Sequence, residues 1–213
     1  MYTDQLIDIA IKEDVGDGDH TSIACIPSDA TGIFSKIDSS LIFTRLLNDG
    51  DKININDIAF YIEGKSRSIL QAERLVLNFM QRMSGIATST DYYTSLLKGL
   101  NTKVLDTRKT TPGLREIEKL AVKIGGGTNH RIGLYDMVMI KDNHIDYAGG
   151  IENAINTTER YLKENNKPLK IEIEARDLDE LNQILKTGKI NRIMLDNFSY
   201  DDLRTAVKLI DGK

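Results

Sequence analysis

The sequence contains one cysteine, Cys25, three prolines and no tryptophan in 213 residues. A single cysteine cannot form a disulfide within the chain, which is typical of proteins from the reducing cytoplasm. No apolar run approaches the ~18–20 residues of a membrane-spanning helix, and the first residues lack the charged and apolar regions of a signal peptide. These absences predict a cytoplasmic protein that does not enter a membrane.

An excess of positive charge is also missing. Lysine and arginine number 28 against 32 aspartates and glutamates, and the formal net charge is -4. Because no basic stripe dominates the chain, wholesale nucleic-acid binding is not expected. Apolar residues make up 40% and charged residues 28%, as in an ordinary globular protein, which excludes disorder and coiled coil. Any bound anion must therefore be held by a local cluster of cations.

The first part of the chain predicts a small α+β sandwich domain over residues 1–65. Residues 1–13 have helical periodicity, and residues 41–62 are β-like around an Asp49-Gly50 turn.

From Ser66 the apolar spacing becomes that of a long helix, with residues 68–71 as a capping box at its start. This helix begins a second domain over residues 66–213. One apolar stripe, predicted to face the core, consists of Ile69, Ala72, Val76, Met80, Met83 and Ala87.

After residue 100 the pattern alternates between strand and helix. The predicted strands are 103–106, 136–140, 170–174 and 192–195, and the predicted helices are 116–124, 151–164, 178–185 and 200–210. Such alternation is typical of parallel strands with helices outside. Residues 101–213 fall far short of the ~250 residues of a complete eight-fold barrel. The sequence therefore predicts an incomplete parallel β/α barrel with an open sheet edge.

Charged residues follow each of these predicted strands. The carboxyl ends of parallel strands share one face, where sites are built, so four such endings favour a functional face over solvated loops. Its expected cations are Arg108, Lys109, Arg131 and Lys141, and its expected carboxylates are Glu174 and Asp196. Arginine and lysine bind carboxylate and phosphate groups, which predicts a multiply anionic, phosphorylated substrate. Two carboxylates suit Mg²⁺ carried mainly by substrate phosphates rather than by a protein cage.

Three interpretations stay open on the residues alone. The glycines at 125–127 either allow a close approach to a ligand or form a flexible loop. His130 either contacts a ligand or hydrogen-bonds within its own loop. Glu172 and Glu174 share a strand face, so periodicity does not separate them. The adjacent residues at 142–144 lack the spacing of a metal site.

A series of motifs, in order along the chain, resembles quinolinate phosphoribosyltransferase, also called nicotinate-nucleotide pyrophosphorylase (carboxylating). The motifs are ERLVLN at 73–78, SGIAT at 84–88, DTRKTTPG at 106–113, GGG at 125–127, NHR at 129–131, IKDNH at 140–144 and MLDN at 194–197. The resemblance implies phosphoribosyl transfer from phosphoribosyl pyrophosphate to quinolinate with decarboxylation. The products are nicotinate mononucleotide, pyrophosphate and carbon dioxide. It also implies Mg²⁺, no organic cofactor and a place in NAD biosynthesis.

The resemblance also implies roles for individual residues. Those expected at quinolinate are Arg108, His130 and Arg131, with Arg74 supplied by the neighbouring subunit of a homodimer or higher oligomer. Thr107 is also expected to bind substrate. Those expected at the pyrophosphate and phosphoribosyl groups are Lys109 and Lys141, and those expected at the ribose and Mg²⁺ are Glu174, preferred over Glu172, and Asp196. Lys109, Lys141, Glu174 and Asp196 form the expected catalytic set.

Two departures from the family pattern are visible. The chain is shortened after residues 29–32, and it stops at Lys213, where the family continues with two strands whose glycine-rich ends bind the ribose phosphate. These departures lead us to expect weaker phosphoribosyl pyrophosphate binding and turnover than in a full-length relative. The alternative function is therefore an inactive or weakly active relative that binds an anion or its partner subunit. A transferase acting on another base is a third reading, against which the full set of quinolinate residues argues.

Overall fold

The computed structural model describes residues 2–15 and 33–211. Cys25 and the shortened segment after residues 29–32 lie outside the described residues. The chain divides into two compact units, Met1–His130 and Arg131–Lys213. This division follows packing, and the domain boundary predicted between residues 65 and 66 stays a prediction.

The first unit combines helices with a small antiparallel sheet. Its elements are α1 (Tyr2–Val15), α2 (Ile33–Ile37), β1 (Ile42–Arg45), β2 (Phe60–Glu63), α3 (Ser66–Leu96) and α4 (Arg115–Ile124). β1 pairs with β2 in a register that sets Ile42 opposite Glu63 and Arg45 opposite Phe60. Only the two ends of the predicted β segment are strands. Ile53 and Ile55 between them are 66% and 93% exposed, so little burial stabilises a strand there.

The turn predicted at Asp49-Gly50 is confirmed. The backbone N–H of Asp51 donates to the Asn48 carbonyl at 3.1 Å, and Gly50 has a φ of 93°. That left-handed backbone conformation favours glycine.

The long helix α3 is confirmed, although its details differ from the prediction. Ala72 and Val76 of the predicted stripe are buried in a cluster with Phe34 and Leu41, whereas Met80, predicted to be core, is 37% exposed. The short elements that pack on α3 cover only its first turns, whereas the apolar stripe continues further along the helix, so Met80 is left exposed.

The predicted capping box of α3 is wrong. Lys65 occupies the N-cap position without a side-chain cap. Ser68 lies inside the first turn, and its hydroxyl donates to Asp38 Oδ2 at 3.4 Å. A partner distant in sequence therefore replaces the local one.

The predicted strand at 103–106 is also wrong. Leu105 makes only an isolated parallel bridge with Thr128. The Thr128 N–H donates to the Val104 carbonyl at 2.8 Å, and the Asp106 N–H donates to the Thr128 carbonyl at 3.2 Å. Because these bonds hold the segment to a loop rather than to a strand, no ladder develops.

The second unit carries the predicted β/α repeats. Its elements are β3 (Val138–Ile140), α5 (Asp142–Ala148), α6 (Ile151–Glu164), β4 (Ile171–Ala175), α7 (Leu178–Thr187), β5 (Arg192–Leu195) and α8 (Tyr200–Ile210). The strands form a parallel sheet in the order β3-β4-β5. The mixed α/β fold with parallel repeats is thereby confirmed, and α5 is an additional helix.

The core of the second unit lies between the sheet and its helices. All five residues of β4 are buried, and Ile173 packs in one cluster with Ile155 of α6 and Leu181 of α7. The alternate residues, Glu172 and Glu174, belong to the other face of the strand. Among the described residues, no helix is long and apolar enough to cross a membrane.

Candidate active site

The loop between residues 107 and 114 in the first unit carries Arg108 and Lys109. The hydroxyl of Thr107 accepts the Lys109 backbone N–H at 3.0 Å, which closes a local turn. Thr107, a predicted substrate contact, therefore has a structural bond here, and its role at a substrate stays a prediction. The side chain of Lys109 is exposed.

Arg108 has an unusual environment for a cation. It is partly buried, and its Nε is inaccessible to solvent without a hydrogen-bond partner among the described residues. Buried guanidinium N–H groups are ordinarily bonded, and an unsatisfied one carries a desolvation penalty. A carboxylate ligand would remove that penalty once the side chain turned to bring this nitrogen to the surface.

Side chains from two helices hold this loop. Arg115 of α4 donates to the Thr110 hydroxyl at 3.1 Å and to the Arg108 carbonyl at 3.3 Å. Glu118, also on α4, accepts the Thr111 backbone N–H at 3.2 Å and is paired with Arg82 of α3 at 2.6 Å. The backbone that carries Arg108 is therefore fixed before any ligand arrives.

Glu118 is buried but remains ionised. Burial raises the pKa of its carboxyl, yet the hydrogen bonds from Arg82 and Thr111 outweigh burial and hold the pKa below the ordinary value of 4.5. A depressed pKa in the folded state contributes stability that is present above the unfolded pKa. That contribution is lost as the pH falls through the folded value.

We expect Glu118→Gln to lower the free energy of unfolding at pH 7 by about 1–3 kcal/mol, because Arg82 and Thr111 lose a charged partner. The difference between the variant and the wild type should shrink when the pH falls below about 4.5. Urea unfolding at pH 7 and at successively lower pH checks both statements. A difference that is independent of pH would contradict the assignment.

His130 is tied by its backbone to a buried ion pair. Lys119 of α4, 2% exposed, is paired with Asp106. The His130 N–H donates to Asp106 Oδ1 at 2.8 Å, and Lys119 Nζ donates to the His130 carbonyl at 3.2 Å. Asn129 Nδ2 donates to Asp106 Oδ2 at 2.9 Å.

The glycines at 125–127 lie close to other residues of this chain. A Cβ on Gly125 would lie 2.3 Å from the Ala87 carbonyl oxygen, and one on Gly127 would lie 2.7 Å from Val122 Cγ1 and 2.9 Å from Thr90 Cγ2. Gly125 and Gly127 therefore permit close packing on α3 and α4. This packing explains why both residues are glycines without any contact to a ligand.

Gly125→Ala should destabilise the protein by about 1–3 kcal/mol, since the added methyl group meets backbone rather than a flexible side chain. Gly85→Ala is the matched control, because a methyl group added to Gly85 on α3 would have nothing within 4 Å. An exposed helical Gly→Ala change stabilises by about 0.5–1 kcal/mol. Thermal unfolding of both variants checks the contrast, and equal effects would contradict it.

In the second unit, Lys141 and Glu174 form an ion pair. Ile140 is opposite Ile173 in the sheet, so Lys141 continues the register opposite Glu174. The first turn of α5 holds the backbone of Lys141, because the Lys141 N–H donates to Nδ1 of His144 at 2.9 Å. His144 thus closes the first turn of α5.

Glu172 and Glu174 have different partners. Glu172, 1% exposed, is paired with Arg192 at 3.2 Å, whereas Glu174 lies one pleat closer to the carboxyl edge of the sheet with Lys141. Asp196, directly after β5, is exposed, and its backbone N–H donates to the Ala175 carbonyl at 3.0 Å. The preference for Glu174 over Glu172 as the functional carboxylate stays a prediction.

The two remaining predicted substrate residues are arginines. Arg131, in the second unit, is buried, and its guanidinium donates to the Met137 carbonyl at 3.3 Å. Arg74, on α3 of the first unit, is exposed. Their roles stay predictions.

The carboxylates of the second unit fit a shared rather than an enclosed metal ion. Among the described residues, no group of three or more metal-ligating side chains could hold a metal. Glu174 already accepts from Lys141, and Asp196 accepts from the Asn197 amide at 2.9 Å. Their oxygens suit Mg²⁺ that takes most of its ligands from phosphates and water.

The second unit also has an open groove of about 960 Å³ at the amino ends of β4 and β5, away from Lys141 and Glu174. Its cations are Arg160, Lys163, Lys167 and Lys189. Lys189 is paired with Glu159, and Lys163 lies in the last turn of α6. Cations there compensate the helix dipole, so the groove is assigned no ligand.

Sequence reasoning missed the residues that hold the loops. Arg82, Glu118 and Lys119 were not predicted, and neither was the role of Arg115. The available signal was the placement of Glu118 and Lys119 beside buried Ile117 and Ala121 on a short amphipathic helix. Charges that enter an apolar face are buried only when they are paired.

Comparisons with known proteins decide the family. The model of the quinolinate phosphoribosyl transferase N-terminal domain matches residues 9–84, and that of its C-terminal domain matches residues 86–213. The chain belongs to the quinolinate phosphoribosyltransferase family. The two matches meet next to residue 85, inside α3.

Individual relatives agree with this family. Quinolinate phosphoribosyltransferase [decarboxylating] 1b of Nicotiana tabacum is 42% identical over 98% of this chain and 69% of the relative. The probable nicotinate-nucleotide pyrophosphorylase [carboxylating] of Synechocystis sp. is 43% identical over 88% of this chain and 62% of the relative. The chain is thus shorter than these relatives. The name of the Arabidopsis thaliana relative includes "chloroplastic", and the cytoplasmic location of this chain stays a prediction.

Solved structures share the fold. NadC from Streptococcus pyogenes has a TM-score of 0.88 and 35% identity over 98% of this chain and 80% of that chain. The nicotinate-nucleotide pyrophosphorylase from Francisella tularensis has a TM-score of 0.87 and 38% identity over 98% of this chain and 79% of that chain. The structural likeness therefore extends over nearly the whole chain.

Proposed function

We propose that the chain transfers a phosphoribosyl group to quinolinate and releases the 2-carboxylate as carbon dioxide. The proposal is supported by the family and by relatives whose names state a decarboxylating quinolinate phosphoribosyltransferase. The structural observation that carries it is the buried, unpartnered Nε of Arg108. A dicarboxylate supplies the acceptor that this guanidinium lacks.

In this proposal, quinolinate is bound by the arginines and the histidine of the family motifs. Arg108 receives one carboxylate, His130 and Arg131 assist, and Thr107 precedes Arg108 in the same loop. The pyridine nitrogen of quinolinate then faces the anomeric carbon of phosphoribosyl pyrophosphate. Lys109 and Lys141 bind the phosphate-bearing substrate as point charges.

The reaction breaks and forms bonds in two steps. The pyridine nitrogen bonds to the anomeric carbon while the bond to pyrophosphate breaks, and the leaving oxygen takes the electron pair. Positive charge develops on the ribose, as in glycoside transfer, where a nearby carboxylate such as Glu174 stabilises it. The carboxylate beside the cationic nitrogen then leaves as carbon dioxide, and the ring carbon takes a proton from water.

Glu174 and Asp196 are the residues proposed to hold Mg²⁺ together with the substrate's phosphates. The ion neutralises the charge of the leaving pyrophosphate when it is bound. Lys141 stays next to Glu174 and keeps that carboxylate oriented. No organic cofactor and no covalent enzyme intermediate are required.

We also propose a homodimer in which Arg74 completes the neighbouring subunit's quinolinate site. Its exposure on α3 suits a residue that serves another chain. Mixing an Arg74→Ala variant with an Arg108→Ala variant should restore activity, because one site of the mixed dimer regains both arginines. Activity that stays absent after subunit exchange, demonstrated by labelled subunits, would overturn the shared site.

The alternative functions have less support. A relative that binds anions without turnover is not favoured, since the matched relatives are named as enzymes. A transferase acting on another base would need fewer polar and positively charged side chains at its substrate than Arg108, His130 and Arg131 provide.

The test is product formation by the purified chain with quinolinate, phosphoribosyl pyrophosphate and Mg²⁺. Chromatography with mass detection should show nicotinate mononucleotide. The control reaction replaces quinolinate with nicotinate, which has one carboxylate, and should give little product. Product from nicotinate but not from quinolinate would transfer the proposal to another base, and product from neither would overturn it.

A further inference from the structure

We propose that Lys119 and Asp106 form a positioning pair that fixes His130 for quinolinate, an inference that rests on the proposed function. Both are charged, and both side chains are almost fully buried at 2% and 6% exposure. Neither belongs to the residues proposed to touch substrate. Their shared neighbour is the backbone of His130.

The contacts restrain His130 on both sides of its α-carbon. Its N–H donates to Asp106 Oδ1 at 2.8 Å, and its carbonyl accepts from Lys119 Nζ at 3.2 Å. With both backbone groups bonded to one rigid pair, the direction in which the imidazole leaves the backbone is restricted. The pair thus acts on the ligand through His130 rather than by contact.

Asn129 ties the same pair into the loop and the helix. Its amide donates to Asp106 Oδ2 at 2.9 Å and to the Lys119 carbonyl at 3.1 Å. The second carboxylate oxygen of Asp106 is therefore engaged as well. A movement of α4 is transmitted to the loop at 129–130 through these bonds.

The choice of charged residues also fits positioning. A buried ion pair contributes little net stability compared with apolar residues of similar volume, because desolvation offsets attraction. Its benefit is directional, since one ammonium and one carboxylate place a carbonyl and an N–H at defined points. Packing alone would not specify both groups of His130.

The experiment compares Lys119→Met with Ile117→Ala. Ile117 is buried on the same helix, two residues away, and its truncation serves as a control for lost stability. For Lys119→Met we expect a rise in the KM for quinolinate of about 10- to 100-fold, the loss expected when one hydrogen bond to a charged group is misplaced. We expect kcat to change by less than about threefold, as for an interaction used mainly in binding. Ile117→Ala should lower the melting temperature without raising this KM.

A second readout needs no turnover. The carbon and proton ring signals of the three histidines are recorded by NMR. Lys119→Met should shift and broaden the His130 signal and leave that of His144 unchanged, because His144 lies in the other unit and is held by Lys141. Ile117→Ala should leave both signals in place.

The double variant Lys119→Met with Asp106→Asn covers the case in which the single variant does not fold. It leaves no unpaired buried charge and keeps an acceptor for the His130 N–H, whereas the bond to the His130 carbonyl and the bond from the Asn129 amide to residue 106 are lost. The same KM increase and the same shift of the His130 signal are expected.

Equal effects of Lys119→Met and Ile117→Ala on KM and on the His130 signal would overturn the positioning role. An unmoved His130 signal in the lysine variants would also overturn it. If the wild type neither binds nor converts quinolinate, the proposed function fails. The His130 signal then still decides whether the pair positions this residue.

Discussion

Arg108→Ala is expected to weaken quinolinate binding by about 100- to 10,000-fold. A guanidinium fork makes two hydrogen bonds to a carboxylate, each contributing about 1.5–3 kcal/mol, and each ~1.4 kcal/mol is a factor of ten in affinity. The folded state should be little affected, because the contact from Arg115 is made to the Arg108 backbone carbonyl, which alanine retains. Calorimetric titration with quinolinate measures the loss.

Two further variants separate the geometry of this group from its charge. Arg108→Lys keeps the charge without the fork, so its affinity should lie between those of the wild type and the alanine variant. Lys103→Ala removes an exposed cation from the same unit and should leave the affinity unchanged. Equal losses in Lys103→Ala and Arg108→Ala would mean that general charge, rather than the Arg108 fork, attracts the ligand.

Glu174→Gln is expected to lower kcat by about 100- to 1,000-fold, the usual cost of removing one preorganised electrostatic group from a transition state. Glutamine keeps the shape and a hydrogen-bond acceptor for Lys141 but removes the negative charge. Lys141 is 43% exposed at its side chain, so water can solvate it when the pair is lost. Single-turnover kinetics measure the chemical step separately from product release.

Glu172→Gln is the matched control, because it makes the same change two residues earlier on the same strand face. Glu172 is paired with Arg192 at the other end of β4, and its variant should retain kcat within about threefold while losing some stability. Unfolding measurements on both variants account for the stability loss. A large fall in kcat for Glu172→Gln and none for Glu174→Gln would reverse the assignment of the two carboxylates.

The β/α repeats of the second unit were predictable because local periodicity and burial agree there. Helix α8 lies at the predicted residues 200–210, and β5 at the predicted residues 192–195. The prediction failed where strand formation depends on a pairing partner. The segment 103–106 has a β-like composition, but it makes only an isolated bridge with Thr128. The prediction for Met80 was wrong for a related reason, since a helical stripe does not reveal where its covering elements end.

Two signals in the sequence predicted the candidate site: charged residues directly after the predicted strands, and the family motifs. These locate Arg108, Lys141 and Glu174 along the sequence. They do not reveal that Lys141 pairs with Glu174, because that contact depends on the register of β3 and β4. The pair formed by Lys119 and Asp106 depends in the same way on the packing of a helix against a loop.

The central claim, phosphoribosyl transfer coupled to decarboxylation, is tested most directly by the stoichiometry of the two released products. The wild-type chain is incubated with phosphoribosyl pyrophosphate, Mg²⁺ and quinolinate labelled at the 2-carboxylate, and pyrophosphate and labelled carbon dioxide are measured over time. The account predicts equal amounts of both, with neither product formed when phosphoribosyl pyrophosphate is omitted. Pyrophosphate without labelled carbon dioxide, or no release of either product, would contradict it.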